Sequence, residues 1–489
     1  MKKAIIIGSG IAGIATAIRL QKQNFSVEIF EANSYAGGKL SEIRQDGFRF
    51  DAGPSLFTMP HFVEELFELH GKKITETFDY EQLPIVCQYF YEDGTRLNAF
   101  SDAGDFKQEM IDKLGESEKS LSKFFKKAKD LYQITNHVFL EKSLHKLSTF
   151  LNWETAKSIM QLHKLDAFRT MNQSNKARFQ NPKTVQLFNR YATYNGSNPY
   201  EAPATLNIIS HLEHDIGAFF PKKGMHQITK SLVDLAKEVG VKFHYGKRVS
   251  EILVENKQAK GIRVGEKEIL ADLVVSNMDM VGTYQKLLAK QKQPEKMLNQ
   301  PKSSSALIFY WGMDKEFPEL DLHNIFFSEE YETEFDNIFQ HRTIYRDPTV
   351  YVFISSKQVK TDAPEGKENW FVMINTPNNS GQDWDSLIAE AKQNILSKLN
   401  RILGKDLEKH ILCEQILDPR TIESRTSSSQ GALYGNSSNN KFAAFLRHPN
   451  FSQKIENLYF CGGSVHPGGG IPLCLLSAKI VADLVEKDF

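Results

Sequence analysis

Lys3–Ile7 is a short run of branched apolar residues, Ile14–Gln23 spaces its apolar positions for a helix, and Ser26–Phe30 alternates with period two. These three stretches predict a βαβ unit at the start of the chain. Gly37-Gly38 breaks the pattern, Gly47 precedes the strand-like Phe48-Arg49-Phe50, and Asp51-Ala52-Gly53-Pro54-Ser55 follows. From about Met59 to Asp215 the spacing predicts largely helical and irregular structure without any repeat. Alternating α/β character returns from Gly224 to Asp279, with a helix over Ile228–Val239, strands near Val241–Tyr245 and Ser250–Glu255, and a buried-type run at Ala271–Ser276. Further strands are expected at Ala306–Trp311, Thr349–Ser355 and Trp370–Asn375, then a last strand at Leu458–Cys461 and a helix over Leu473–Glu486. Such recurrence predicts one α/β domain assembled from separated segments, with a second domain inserted twice.

At 489 residues the chain exceeds what one hydrophobic core usually serves, which agrees with two domains. Sixty basic and sixty acidic side chains cancel, so the overall charge does not favour nucleic acid or a strongly acidic partner. Cysteine occurs only at Cys87, Cys413, Cys461 and Cys474, without C-x-x-C or metal-like spacing. That pattern fits a reducing compartment, argues against a disulfide framework or a dithiol reductase, and points to no metal site. Lys2-Lys3 followed by Ala4–Ile18 imitates a secretory signal, but a cut near Ala15-Thr16-Ala17 would destroy a glycine pattern that continues in register to Glu31. No other run is long and apolar enough to span a bilayer, so the expectation is a cytoplasmic protein, soluble or peripheral to the membrane.

Gly8-Ser9-Gly10-Ile11-Ala12-Gly13 follows a predicted strand and opens a predicted helix, and Glu31 ends the second strand eighteen residues beyond Gly13. In that context G-x-G-x-x-G is a strong dinucleotide fingerprint. Gly8 permits the turn, Gly10 lets backbone N–H groups approach a pyrophosphate at the positive helix end, and Gly13 lets helix and strand pack closely. Glu31 suits ribose hydroxyls and disfavours a 2′-phosphate. Glycine-rich material at Gly37-Gly38 and Gly53-Pro54-Ser55 extends the site beyond an ADP unit, and no second complete fingerprint supplies a nicotinamide domain. FAD is the expected cofactor.

These residues resemble the flavin-containing family of amine oxidases, protoporphyrinogen oxidases and carotenoid desaturases. Lys39 stands where the family carries Arg or Lys after the glycine pair, and Asp51–Ser55, Pro221–Met225 and Ala271–Asn277 are similar to further family blocks. Asn457–Pro472 is similar to the C-terminal signature of bacterial carotenoid desaturases, and Asn189–Gly196 with Asn198–Pro203 resembles the branch acting on hydroxylated carotenoids. Asn24 and Lys223 depart from family glycines. The resemblance implies a glutathione-reductase-like, Rossmann-type FAD domain from segments 1–75, 222–282 and 420–489, and an α+β substrate domain from 76–221 and 283–419. It implies that Gly8, Gly10, Ile11, Ala12, Gly13, Glu31, Ala32, Gly38, Lys39, Gly53, Pro54, Ser55, Val249, Asn277, Gly463, Ile471 and Pro472 bind FAD. By the same analogy the helix opening near Pro472 faces the flavin's N1–C2=O edge, where its partial positive charge favours hydride acceptance.

The implied activity is carotenoid desaturation, 3,4-desaturation of a 1-hydroxycarotenoid, with multistep phytoene desaturation the near alternative. A non-redox carotenoid isomerase and a lipid-carrying escort protein share the fold and stay open. Hydride removal to the flavin with a delocalising polyene makes a strong base dispensable, and oxygen or a quinone is the expected electron acceptor. His466 is the one candidate base, because it lies in the loop expected near the flavin. Glu213-His214-Asp215 reads as a solvated turn. The 34 phenylalanines fit an apolar tunnel or an ordinary core. His137–Leu165 interleaves aromatic and aliphatic residues with lysines, as an interfacial helix on an anionic membrane would, or as an amphipathic cover of the substrate domain.

Overall fold

A computed structural model describes residues 1–135, 166, 168–440 and 447–489. The candidate interfacial stretch His137–Leu165 therefore lies outside the described residues. The elements that position the site are β1 (Lys3–Ile7), α1 (Ile11–Lys22), β2 (Ser26–Phe30), β3 (Phe48–Asp51), β4 (Ile85–Phe90), β5 (Arg96–Phe100), α2 (His226–Glu238), β6 (Lys242–His244) and β7 (Leu273–Ser276). They continue with β8 (Ser305–Met313), β9 (His323–Phe326), β10 (Val350–Phe353), β11 (Glu368–Thr376), β12 (Ile411–Leu417), β13 (Leu458–Phe460) and α3 (Ile471–Asp488).

The first sheet is parallel throughout, in the order β13-β7-β1-β2-β6. A parallel sheet is covered on both faces, which is why β1 reads as a continuous apolar run. Alternation then sorts its side chains: Ala4 and Ile6 face the core shared with α1, α2 and α3, while Ile5 and Ile7 pack with Val249, Ile252 and Ile262 from a small antiparallel sheet. Every residue of α1 from Ile11 to Leu20 is buried. The helix starts three residues earlier than its apolar spacing suggests, because the glycine loop leads straight into it. Asn24 takes φ +64° in the turn before β2, the left-handed conformation for which glycine is the usual residue and asparagine the tolerated substitute.

The second sheet runs β12-β8-β11-β10-β9-β4-β5, antiparallel except where β9 meets β4. Strands β4 and β5 correct the expectation of largely helical structure between Met59 and Asp215. β5 pairs with β4 as a local hairpin, but the other partner of β4, β9, lies more than two hundred residues downstream, so local spacing carried no trace of that pairing. One sheet face, with Phe309, Trp311, Val352, Trp370 and Val372, packs under the helix Trp384–Leu403. The other face presents Ile308, His323, Ile325, Tyr351, Phe371 and Met373 to a cavity.

Arg49 ties separated segments of the chain together. Its guanidinium donates to Asp51 at 2.6 Å, Glu42 at 2.8 Å and Asp362 at 2.9 Å. Asp51 also accepts from the backbone N–H groups of Met225 and His226, both at 2.9 Å, so the start of α2 and the Asp51–Ser55 loop share one anchor.

Candidate active site

A cavity of about 710 Å³ opens at the carboxyl ends of β1, β2, β7 and β13 and continues along the face of the second sheet opposite the helix Trp384–Leu403. The ends of parallel strands are the usual ligand position in such sheets, because the chain turns there into helix N-termini and loops. Gly8, Gly10, Ile11, Ala12, Glu31, Ala32, Gly38, Lys39, Gly53, Pro54, Ser55, Val249, Asn277, Gly463, Ile471 and Pro472 all line it. Gly13 lies beneath the loop instead, where a Cβ would fall 2.4 Å from the Gly8 carbonyl oxygen and 3.0 Å from Asn277 Oδ1.

Both α1 and α3 begin at glycines, Gly10 and Gly470, that provide no side-chain cap. Their first backbone N–H groups and the positive ends of two helix dipoles thus face one cavity. A Cβ on Gly10 would stand 2.6 Å from Asn277 Oδ1, while one on Gly470 would meet nothing within 4 Å. Pro472 is the second residue of α3, where its missing N–H costs no hydrogen bond. Glu31 is 6% exposed and is aimed by three bonds: Oε2 accepts from Ser9 N and Ser9 Oγ, Oε1 from Asn33 N, each at 2.8 Å. Lys39 Nζ donates to the Leu433 carbonyl at 2.7 Å; desolvation lowers its pKa and Asp279 opposes that shift. Two uncapped helix ends, an oriented acid and loops of small residues in one elongated cavity fit an extended flavin dinucleotide.

His466 is placed otherwise than its sequence position suggests. It is 1% exposed and does not line the cavity; its backbone N–H donates to His448 O at 2.9 Å and its carbonyl accepts from Asn450 Nδ2 at 2.8 Å. The loop shows Gly462, Gly463, Ser464 and Gly469–Pro472 to the cavity, and His466 is not among the lining residues.

Of Glu213-His214-Asp215, only Asp215 is exposed as a solvated turn would be. Glu213 and His214 are 1% and 3% exposed. Glu213 accepts from Tyr191 Oη at 2.8 Å and Arg190 Nη2 at 3.3 Å, and it also pairs with Tyr194 Oη. Burial works against the Arg190 charge, but the surrounding phenols and Glu213 outweigh it and hold the guanidinium charged. His214 stacks on Phe106 at 4.3 Å, and burial pulls its pKa down to about 4. Its sequence context concealed the burial of this polar group; its buried partner Arg190 sits in the Asn189–Gly196 block.

Sequence reasoning also missed His323 and Tyr351, which lie on strands β9 and β10. Tyr351 Oη lies 2.6 Å from Ser55 Oγ and 2.8 Å from His323 Nδ1, and all three residues line the cavity. Burial, then the nearby Arg190 charge, lowers the His323 pKa to about 3, so the ring is neutral. An isolated histidine in a strand gives no motif by which to find it.

The sequence pattern of the flavin containing amine oxidoreductases matches residues 11–486. The chain is 53% identical over 487 residues to a 1-hydroxycarotenoid 3,4-desaturase of Flavobacterium sp., covering all of this chain and 99% of that one. It is 33% identical over 500 residues to a 4,4'-diaponeurosporene oxygenase of Staphylococcus aureus, covering 99% and 98%. Among solved structures, an oxidoreductase from Methanosarcina mazei superposes with a TM-score of 0.62 at 18% identity over 99% of this chain and all of that one. Cyclohexylamine oxidase from Brevibacterium oxydans does so with 0.62 at 16% identity, over 100% and 99%.

Proposed function

From the premise that the chain belongs to the flavin containing amine oxidoreductases and is an FAD-dependent oxidoreductase, we propose that it forms the 3,4 double bond at the 1-hydroxylated end of a carotenoid. One observation carries this reading: the dinucleotide loops and the apolar face of the second sheet line a single continuous cavity. A long hydrocarbon lying along Ile308, Ile325, Phe371 and Met373 would meet the flavin end without crossing a polar barrier. The full-length likeness to a 3,4-desaturase supports the choice of substrate. We assign residues 1–75, 222–282 and 420–489 to the cofactor domain and 76–221 with 283–419 to the substrate domain.

In this reaction one C–H bond is lost as hydride, its neighbour loses a proton, and C=C forms between the two carbons. FAD, when bound, supplies the hydride acceptor, and oxygen or a quinone finally takes the electrons. Gly8–Gly13 with Glu31 would hold the ADP half, and Lys39, Gly53–Ser55 and Gly463–Pro472 the flavin half. The uncapped start of α3 would present its positive end to the flavin half of the cofactor. The apolar sheet face orients the chain and keeps water from the reacting carbons. Conjugation in the substrate spreads positive charge, which fits a wall whose histidine, His323, is held neutral by burial rather than tuned as a base.

An anaerobic assay tests the reading. Acyclic hydroxylated carotenoid added to the flavin-loaded enzyme should bleach the flavin and yield a product two hydrogens lighter with a new 3,4 double bond; oxygen or a quinone should restore the flavin colour. Conversion of phytoene alone would reverse the choice of substrate, and an unchanged product mass would make the protein an isomerase.

Among the described residues no helix is long and apolar enough to cross a membrane. We place the protein peripherally on the cytoplasmic membrane surface, where the substrate resides, on the strength of the lysine- and aromatic-rich sequence His137–Leu165. Liposome flotation of wild type against the Phe150→Glu, Trp153→Glu variant tests this; equal flotation would remove that segment as the anchor.

A further inference from the structure

Two buried nitrogens, each on a residue that lines the cavity, have no hydrogen-bond partner among the described residues: His323 Nε2 and Arg190 Nε. Both residues line the cavity, and they are 3% and 7% exposed. Native proteins leave few buried polar groups unsatisfied, because an unmade hydrogen bond there costs free energy that water cannot return. Two on one wall call for a ligand atom.

The remaining polar atoms of both residues are committed. His323 Nδ1 is held by Tyr351 Oη, and the ring lies stacked on Phe353 at 5.2 Å. Arg190 uses Nη2 on Tyr89 Oη at 2.7 Å and on Glu213, and Nη1 on Tyr194 Oη. The free nitrogens are therefore presented by side chains that cannot swing away. Their surroundings on the sheet face, Ile308, Ile325 and Phe371, are apolar. A ligand matching this wall is a hydrocarbon with one small polar group, and a hydroxyl suits it best: it donates and accepts, so it satisfies Nε2 in either tautomer of His323 and accepts from the Arg190 N–H.

We propose that His323 and Arg190 form the subsite that reads the hydroxyl on the substrate's end group. The inference rests on the 3,4-desaturation reading, and the chemistry of that reading constrains where the subsite must be. A hydroxyl oxygen on C1 is three bonds from C3, so whatever binds it must lie beside the flavin end of the cavity rather than at the far end of a tunnel. The run Ser55–Tyr351–His323 meets that requirement, since it begins on the Gly53–Ser55 loop assigned to the flavin.

The test uses flavin-loaded enzyme and two polyenes that already carry the 3,4 double bond, one with the 1-hydroxyl and one without, so that binding is read without turnover. Affinity is measured by the polyene absorbance that elutes with the protein from detergent micelles. Wild type should prefer the hydroxylated polyene by about 10- to 100-fold. His323→Phe should bring the ratio close to one. Arg190→Met alone would strand Glu213, so the Arg190→Met/Glu213→Met pair is its companion, and it should also lower the ratio. Flavin content matching wild type certifies the fold of each variant. Equal affinity of wild type for the two polyenes overturns the subsite, as does a preference that survives in both variants. A wild-type preference without any 3,4 product from a saturated substrate would instead overturn the proposed reaction and leave the subsite standing.

Discussion

Arg190 and Glu213 meet inside the protein, Nη2 to Oε2 at 3.3 Å, with side chains only 8% and 1% exposed. A charge pair at that depth is held by its hydrogen bonds more than by its mutual attraction, because taking both ions out of water is expensive. Tyr89, Tyr191 and Tyr194 supply those bonds. Glu213→Ala leaves the guanidinium buried without its carboxylate and is expected to cost about 3–5 kcal/mol. Glu213→Gln keeps the acceptor and should cost less than half of that. Thermal and urea unfolding of the flavin-loaded protein will rank the two; equal losses would mean that the carboxylate charge, and not the hydrogen bonds it accepts, holds the guanidinium.

Asn277 Oδ1 occupies the space beside Gly10, 2.6 Å from where a Cβ would sit, and Asn277 Nδ2 donates to the Cys461 carbonyl at 3.1 Å. Any side chain at position 10 must displace an asparagine that joins the loops after β1, β7 and β13. Gly10→Ala is expected to purify with less than about a tenth of the wild-type flavin, since backbone approach to phosphate is lost as well. The ratio of visible flavin absorbance to protein absorbance reads this directly. Full flavin occupancy would show that Gly10 makes no close approach to the dinucleotide.

Much of this site was legible because its signals are local. Gly8–Gly13, Glu31 and the glycines before Pro472 sit at fixed spacings dictated by turns, helix starts and backbone approach. The polar half of the cavity carries no such spacing. Arg190, Glu213, His323 and Tyr351 come from a short 3₁₀ segment, a π-helical turn and two strands of a sheet, and only their tertiary pairing gathers them. Glu213 was visible as an acid, but an acid before an apolar run reads as solvated unless its buried cation is known. His466 differs in another way: its place in the loop is informative, yet the loop lines the cavity with its glycines while the histidine itself is buried and not among the lining residues.

Asp51 provides a check on how the start of α2 is anchored. Its carboxylate takes one guanidinium and two backbone N–H groups at the start of α2, and it is 1% exposed. Asp51→Asn keeps the shape but gives up the charge that these three donors share, at an expected loss of about 2–3 kcal/mol. The start of α2 should then exchange its amide hydrogens faster than in wild type, measured by mass spectrometry on peptides spanning Met225 and His226. Unchanged protection there would show that the helix start does not depend on this carboxylate.

Two buried histidines make stability fall with acid, and the sign follows from where each proton binds. His214 and His323 have pKa values pulled down to about 4 and about 3, while an unfolded histidine titrates at its ordinary 6.5. Below pH 6.5 the unfolded chain therefore binds protons that the native protein refuses, and at pH 5 each histidine costs about 2 kcal/mol. Asp362 works in the other direction: burial raises its pKa to about 6 despite Arg49, so the penalty of holding it ionised is relieved as pH falls through 6. That returns about 1.4 kcal/mol by pH 5, so these three groups together predict a net loss of about 3 kcal/mol between pH 7.5 and pH 5. Unfolding of the flavin-loaded protein across this range measures the slope. His214→Phe, which keeps the aromatic contact with Phe106 and removes the titrating ring, should recover about 2 kcal/mol of the loss at pH 5 relative to its own stability at pH 7.5. A variant whose stability falls as steeply as wild type would show that His214 accepts its proton in the folded state.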